Sequence, residues 1–143
     1  MVSPLIHPIR DARTSELSRV LTLWEVSGLT RPWNDAAADF ARALASPSSS
    51  VLVEDRLAGS VMVGDDGHRG WVYYLAVAPD ARHRGVGRAL MAAAEAWLVA
   101  RGVPKIQLMV RDGNLDALAF YAALGLERQP VVTLGRFLGE GKS

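Results

Sequence analysis

Residues 71–90 read WVYYLAVAPDARHRGVGRAL, a stretch that predicts a strand, a turn and a helix in succession. Its first seven residues are mostly aromatic or apolar and β-branched, so they predict a central strand, which Pro79 ends. Residues 87–100 carry apolar side chains at helical spacing and predict a long helix. Residues 82–87, RHRGVG, join the two, and their glycines allow a ligand to approach the backbone. A strand, a glycine-rich turn and a helix in this order predict an anion site at the helix N-terminus.

The residues of this turn leave two interpretations open. In one, the turn is an ordinary helix start beside solvated arginines; in the other, Arg82, Arg84 and Arg88 surround a bound phosphate. Two well-known phosphate loops are excluded. The Walker pattern ends in Gly-Lys-Ser/Thr, whereas the second glycine here precedes Arg88 and Ala89. The dinucleotide pattern needs a third glycine, and Leu90 stands in its place.

The remaining segments predict one α/β domain over residues 1–143. Strands are predicted at residues 5–9, 51–53, 57–63, 71–77, 106–110 and 131–138, with a turn at 64–67. Four helices are predicted, with caps at Thr14 or Ser15, at Asn34 or Asp35 and at Asn114. Hairpins in the first half imply antiparallel pairing, and strand–helix–strand units in the second half imply parallel pairing. The sequence therefore predicts a mixed sheet flanked by helices.

Composition excludes several classes of protein. Half of the residues are hydrophobic and 22% are charged, which allows a buried core and argues against disorder. The formal net charge of +1 argues against nucleic acid as the partner. The absence of cysteine excludes disulfides, thiolate metal sites and a cysteine nucleophile, and no metal is expected. No signal peptide or membrane-spanning run is visible, so we expect a cytoplasmic protein without a membrane partner.

A second segment, residues 114–125, reads NLDALAFYAALG. This segment resembles motif B of the GNAT superfamily of N-acetyltransferases, and Arg82-x-x-Gly85-x-Gly87 resembles motif A of the same superfamily. One predicted helix and one predicted strand separate the two motifs. Residues 31–35 and 66–70 further resemble the small bacterial YpeA-type branch. Over nearly the whole chain, the resemblance implies the GNAT fold, whose mostly antiparallel sheet splays apart at the cofactor site.

The resemblance implies that acetyl-CoA is the co-substrate. Backbone N–H groups of the turn would hold its pyrophosphate, and the strand before the turn would pair with its pantetheine arm. The implied cofactor-binding residues are Leu75, Ala76, Val77, Arg82, His83, Arg84, Gly85, Val86, Gly87, Arg88, Ala89, Asn114 and Tyr121. An N–H near Val77 would stabilise the oxyanion of the tetrahedral intermediate. Tyr121 matches the family's catalytic tyrosine, whose phenol would protonate the leaving thiolate. From the residues alone a role in core packing is favoured, and the resemblance reverses that preference.

The acceptor side is less defined. In this family the loop that would contain Arg31 and Trp33 covers the acceptor site, although Trp33 could instead pack onto the following helix. Tyr73 is the third candidate substrate residue, and because strand residues alternate, at most one of Tyr73 and Tyr74 is predicted to face the substrate. The general base is left open. The candidates are a water chain, Glu54, Asp65, Asp66, His68, Tyr73 and Tyr74.

The predicted function is direct transfer of an acetyl group to a primary amine of a small molecule or peptide within a ternary complex. The missing cysteine removes the commonest acyl-enzyme route. The alternative is a non-catalytic acyl-CoA sensor or partner-binding module on the same fold. Pairing of residues 131–138 across two copies would allow a homodimer.

Overall fold

The computed structural model describes residues 7–139 and shows the predicted α/β class. In chain order, the elements are β1 (Ile9–Asp11), α1 (Leu17–Val26), α2 (Ala36–Ala45), β2 (Ser49–Glu54), β3 (Gly59–Asp65), β4 (Gly70–Val77), α3 (Val86–Val99), β5 (Ile106–Leu108) and α4 (Leu115–Ala123). The five strands follow one another in sequence order across a single sheet. The first four pair antiparallel, and β4 and β5 pair parallel, so the sheet is mixed and mostly antiparallel as predicted.

The chain divides into two compact units, Met1–Met109 and Val110–Ser143. The first unit contains the five-stranded sheet with α1, α2 and α3, and the second contains α4 and the irregular segment after it. The single domain over residues 1–143 therefore stays a prediction. Over residues 7–139, no helix has the length and apolarity needed to cross a membrane.

Helices α1 and α2 cover one face of the sheet around a buried tryptophan. The Trp24 indole N–H donates to the Ser60 hydroxyl at 2.8 Å, and both residues are fully buried. The indole also stacks on the Tyr74 ring with centroids 4.0 Å apart, and the Phe40 ring meets it edge-on at 6.2 Å. The ring contacts and the indole hydrogen bond together allow Trp24 one orientation. This cluster therefore fixes the middle of β4 against α1 and α2.

Helix α3 packs closely against β3 because β3 begins with a glycine. A Cβ on Gly59 would lie only 2.8 Å from the side chains of Val86 and Leu90 and from the Ala76 carbonyl oxygen. The first two turns of α3 therefore rest directly on the backbone of the sheet. This contact determines where the N-terminus of α3 lies relative to the end of β4.

We expect Gly59→Ala to lower the free energy of unfolding by about 1–3 kcal/mol, because the added methyl group overpacks this contact. Gly64→Ala is the matched control on the same strand, since its Cβ would meet Ser49 at an ordinary 3.5 Å. Urea denaturation of both variants provides the measurement. Equal losses at the two positions would contradict the packing argument.

A buried carboxylate connects β1 to the turn that precedes α1. Glu16 is 8% exposed, forms a salt bridge with Arg10 at 2.8 Å and accepts the Arg13 backbone N–H at 2.8 Å. These contacts, the Arg10 hydrogen bond first, lower the pKa of Glu16 to about 2. Arg10 also contacts Asp55 at 2.9 Å, so the same guanidinium connects β1 to the β2–β3 turn.

This lowered pKa predicts how stability depends on pH. A carboxylate whose pKa is lower in the folded state stabilises fully above its unfolded pKa, and the contribution disappears as pH falls towards the folded value. We expect Glu16→Gln to cost about 2 kcal/mol at pH 7, and the difference from wild type to vanish between pH values of about 4.5 and 2. Thermal unfolding across this range tests it. The exposed Glu25→Gln change on α1 is the control, and a Glu16→Gln difference that stays constant across this pH range would refute the assignment.

Several predicted boundaries of the first unit are wrong. Thr14–Glu16 form a 3₁₀ turn without side-chain capping, so neither Thr14 nor Ser15 caps a helix; the Glu16 carboxylate binds the Arg13 N–H instead. Strand β1 begins at Ile9 rather than residue 5, and residues 5 and 6 lie outside the described residues. Strand β3 extends to Asp65, because Gly64 and Asp65 still pair with β4. The turn predicted at residues 64–67 therefore lies at residues 66–69.

The last predicted strand, residues 131–138, is also wrong, since no strand is assigned there. Its apolar side chains are largely exposed: Val131 is 73%, Val132 84%, Leu134 90% and Leu138 84%. Apolar residues at strand spacing form a stable strand only when one face is buried, and this segment lacks that burial. The other two caps agree with prediction, since Asp35 accepts the Ala38 N–H and Asn114 accepts the Ala117 N–H.

Candidate active site

The turn after β4 has the geometry of an anion site. His83 and Gly85 adopt left-handed φ angles of +64° and +86°, and α3 begins directly after Gly85 without a side-chain cap. The first hydrogen bond of the helix runs from the Ala89 N–H to the Gly85 carbonyl at 3.0 Å. The N–H groups of residues 86–88 have no acceptor in the part of the chain that the structure describes. Three adjacent donors at a helix start are suited to binding a phosphate.

Exposed positive charge surrounds these donors. Arg82, Arg84 and Arg88 are exposed, and within residues 7–139 none of them forms an ion pair. The helix dipole adds partial positive charge at the same place. Of the predicted backbone donors, Ala89 differs from the rest because the helix itself uses its N–H.

A histidine from the start of the chain supports the turn. His7 Nε2 lies 2.6 Å from the Arg84 carbonyl oxygen, and because a carbonyl only accepts, this nitrogen is the donor. The imidazole also lies close to Gly85, where an added Cβ would be 3.8 Å from Nε2. The sequence carried no signal for this contact, since the two residues are 77 positions apart.

Strand β4 carries a bulge before the turn. Ser60 pairs with Ala76 and Met62 pairs with Tyr73, so one residue of β3 lies opposite two residues of β4, Tyr74 and Leu75. Tyr74 has a φ of +54°, which is strained for a residue with a side chain. Strand β5 pairs only with residues 70–72, so the last five residues of β4 extend beyond it. The predicted splay of the sheet is therefore at residues 73–77, which include Leu75, Ala76 and Val77.

The bulge changes which side chains share a face, and the predicted alternation of Tyr73 and Tyr74 is wrong. Tyr73 lies opposite Met62, and Met62 is on the same face as Ser60, two residues away. Tyr74 stacks on Trp24, whose indole binds Ser60, so it lies on that face as well. Both tyrosines therefore lie on the α1–α2 face, because the left-handed residue interrupts the two-residue period.

Neither tyrosine is suited to act as the general base. Burial raises the pKa of Tyr74, and the hydrogen bond from its hydroxyl to Asp39 at 2.8 Å raises it further. Burial and then the charge of Asp66 raise the pKa of Tyr73. A phenol with a raised pKa stays protonated at neutral pH, so both hydroxyls can donate a proton but cannot readily accept one.

The carboxylates proposed as bases close local turns. Asp66 accepts the backbone N–H groups of Arg69 and His68 and the indole N–H of Trp71, all of which lower its pKa. Asp65 accepts the Gly67 N–H at 2.8 Å. The Glu54 carboxylate likewise accepts two backbone N–H groups, from residues 56 and 58. These hydrogen bonds give each of the three carboxylates a structural role in its own turn, so no catalytic role is needed to account for them.

In the predicted acceptor loop, the Arg31 side chain is hydrogen-bonded within the loop, whereas the Trp33 side chain is exposed. The Arg31 guanidinium donates to the carbonyls of Gly28 and Thr30, both at 2.8 Å, so it stabilises its own loop. Trp33 is 48% exposed, which leaves ring surface for a ligand. Tyr73 is 43% exposed, and its ring stacks with that of Trp71 at 6.5 Å. Substrate contact by these residues stays a prediction.

The second unit contains the two remaining predicted residues. Asn114 caps α4 by accepting the Ala117 N–H at 3.1 Å. Tyr121 lies near the end of α4, where its ring meets that of Phe120 edge-on at 5.1 Å. Burial raises the pKa of Tyr121 to about 12, which keeps its phenol protonated and able to donate. Contact of either residue with the cofactor stays a prediction.

Comparison with known proteins identifies the family of this chain. A family model, the acetyltransferase (GNAT) family, matches residues 11–126. The chain belongs to the GNAT family. An acetyltransferase of Pectobacterium atrosepticum is 44% identical to it over 137 residues, which cover 94% of this chain and 97% of the relative. The GNAT chain is accordingly an N-acetyltransferase, and the enzyme is favoured over a non-catalytic module.

Solved structures show the same GNAT fold. The aminoglycoside N-acetyltransferase AAC(6')-Iy in complex with CoA is 20% identical, with a TM-score of 0.78 over 96% of this chain and all of that one. A transcriptional regulator from Bacillus halodurans is also 20% identical, with a TM-score of 0.78 over 92% of this chain and all of that one. At this identity the likeness concerns the fold alone. The YpeA-type branch stays a prediction.

Proposed function

We propose that this GNAT protein transfers an acetyl group from acetyl-CoA directly to a primary amine within a ternary complex. The observation that carries the proposal is the start of α3, where three adjacent backbone donors without acceptors in the described chain lie among three exposed arginines. The same turn follows directly on the bulged and splayed end of β4. An anion site beside an exposed strand edge suits a cofactor that joins a pyrophosphate to an amide-containing arm.

In the proposed complex, the pyrophosphate binds the N–H groups of residues 86–88, with Arg82, Arg84 and Arg88 around it. The pantetheine amides pair with the β4 edge along residues 75–77, as a short additional strand would. His7 is a positioning residue, because its hydrogen bond to the Arg84 carbonyl holds the turn in its left-handed conformation.

The proposed reaction is a single displacement at the acetyl carbon. The neutral amine attacks this carbon and forms a tetrahedral intermediate. The bond between the acetyl carbon and the CoA sulfur then breaks, and the amine nitrogen loses one proton to water. An N–H near Val77 stabilises the oxyanion, and the Tyr121 hydroxyl gives its proton to the departing thiolate. The resulting phenolate regains a proton from water, which balances the proton that the amine released. The products are an N-acetylated amine and CoA. No cysteine is present to form a thioester intermediate, and the reaction as proposed uses no metal.

The acceptor is proposed to be a primary amine of a small molecule or a peptide. Two of the structural neighbours act on or bind aminoglycosides, as shown by the complexes with CoA-S-monomethyl-acetylneamine and with sisomicin. The test incubates the protein with acetyl-CoA and alkylamines, diamines, peptides with unblocked N-termini, and sisomicin, and measures the release of thiol. Amine-dependent release and an acetylated product in mass spectrometry support the proposal. Tight CoA binding without turnover across the whole set would instead identify a sensor.

A further inference from the structure

One tryptophan contacts both strands at the β4 bulge. The Trp24 indole N–H donates to the hydroxyl of Ser60, the β3 residue that borders the register shift. The face of the same indole stacks on the Tyr74 ring, with centroids 4.0 Å apart and 6° between the two planes. Tyr74 is one of the two β4 residues that share a single partner on β3. A fully buried side chain of α1 therefore holds the two strands on either side of the bulge.

Tyr74 depends on such contacts because its backbone is strained. Its φ of +54° lies in the left-handed region, which residues with a Cβ adopt only at a cost. The stack on Trp24 fixes the ring, and the hydroxyl donates to Asp39 Oδ2 at 2.8 Å. Asp39 lies in the first turn of α2, where the helix dipole favours a carboxylate. Contacts from α1 and α2 thus offset the strain and keep the extra residue in β4.

Beyond the bulge, the backbone groups of β4 alternate between β3 and the opposite edge. The Ala78 N–H donates to the Ala58 carbonyl at 2.8 Å, so it points towards β3. Backbone groups of successive residues in an antiparallel ladder point to opposite edges. The N–H and C=O of Val77, which lies opposite Gly59, therefore point away from β3. That edge is left uncovered by β5, which pairs only with residues 70–72.

The bulge decides which residue of β4 faces this uncovered edge. Without the extra residue, the register of β4 beyond residue 73 would shift by one position relative to β3. The Val77 N–H would then point towards β3, and the Ala76 N–H would take its place at the edge. The left-handed conformation of Tyr74 thus determines which N–H and C=O a ligand meets there.

We propose that Tyr74 is a positioning residue for the cofactor. Held in its left-handed conformation by Trp24 and Asp39, it keeps the N–H and C=O of Val77 at the uncovered edge, where they bind the pantetheine arm. Tyr74 acts through the backbone of β4 rather than through contact with the cofactor. The inference rests on the proposed function and assigns the residue that determines the geometry of its arm-binding edge.

The test compares CoA with 3′-phospho-ADP, which has the nucleotide and pyrophosphate of CoA but lacks the pantetheine arm. Calorimetry measures the Kd of each ligand. Tyr74→Ala removes the ring and still disfavours a left-handed φ, so CoA should bind at least about tenfold more weakly, while the Kd for 3′-phospho-ADP changes less than about twofold. Tyr74→Gly should recover about fivefold of this loss, because glycine adopts the left-handed conformation freely.

Val51→Ala is the control for loss of stability. Val51 is fully buried in the same core, but it lies on β2 rather than at the bulge. The substitution should lower the free energy of unfolding in urea without changing either Kd. Tyr74→Phe keeps the ring and removes only the hydrogen bond to Asp39, so it serves if Tyr74→Ala does not fold. It should show the same selective loss of CoA affinity, at about threefold.

Three results would overturn the inference while the proposed function stands. The first is CoA affinity in the Tyr74 variants equal to that of wild type, or an equal loss for both ligands. The second is a loss of CoA affinity from Val51→Ala as large as theirs, and the third is no difference between Tyr74→Gly and Tyr74→Ala. A wild-type protein that binds neither ligand would overturn the proposed function together with the inference.

Discussion

Replacement of Tyr121 by phenylalanine should lower kcat about 100- to 1,000-fold while changing the Kd for CoA less than about twofold. The change removes one hydroxyl and leaves the ring and its contact with Phe120. If this hydroxyl protonates the thiolate, its loss affects the transition state far more than the bound cofactor. Stopped-flow measurement of thiol release, with calorimetry for CoA, gives both quantities.

The raised pKa of Tyr121 adds a pH criterion. Because burial places this pKa at about 12, the phenol stays protonated across the usual assay range, and wild-type kcat should show no alkaline decline from this group below a pH of about 11. Phe120→Leu is the matched control, since it alters the neighbouring ring on α4 without removing a proton donor. Comparable losses of kcat in both variants would assign Tyr121 to packing rather than to catalysis.

Arg88→Glu should weaken CoA binding about 100-fold, the largest effect that we expect from a change in the turn. The variant replaces an exposed positive charge in the first turn of α3 with a carboxylate. A negative charge there repels the pyrophosphate and competes for the N–H donors, yet it stabilises the helix through the dipole. CoA affinity should therefore fall while the free energy of unfolding stays constant or rises by about 0.5 kcal/mol.

Arg19→Glu on α1 is the control for net charge, because Arg19 is exposed and the substitution changes the charge equally. Its Kd for CoA should stay close to wild type. Calorimetry in low and high salt adds a further criterion, since the effect of Arg88→Glu should shrink as salt screens the charges. An equal loss of affinity in the two variants would mean that total charge, rather than the anion site, controls binding.

Local sequence patterns predicted those features of the fold that depend on residues close together in the sequence. The hairpin residues of β2 and β3, the Asp35 and Asn114 caps, and the glycine turn before α3 each depend on residues within a few positions of one another. Periodicity likewise predicted the helices, because each has an apolar stripe that must be buried. The prediction at residues 131–138 was wrong for the same reason, since an apolar run alone does not provide the buried face that a strand requires.

Sequence patterns were enough to predict that a strand, a glycine-rich turn and a helix follow one another, and that arginines lie at the helix start. They could not determine which face of β4 the two tyrosines share, because the bulge at Tyr74 depends on a one-residue mismatch with β3. Nor could they connect Asp39 with Tyr74, or His7 with Arg84, since 35 and 77 positions separate these pairs. Such contacts depend on tertiary packing, because the packing of the sheet against its helices fixes the positions of both partners. The anion site is thus encoded locally, whereas the uncovered edge of β4 beside it is a product of the fold.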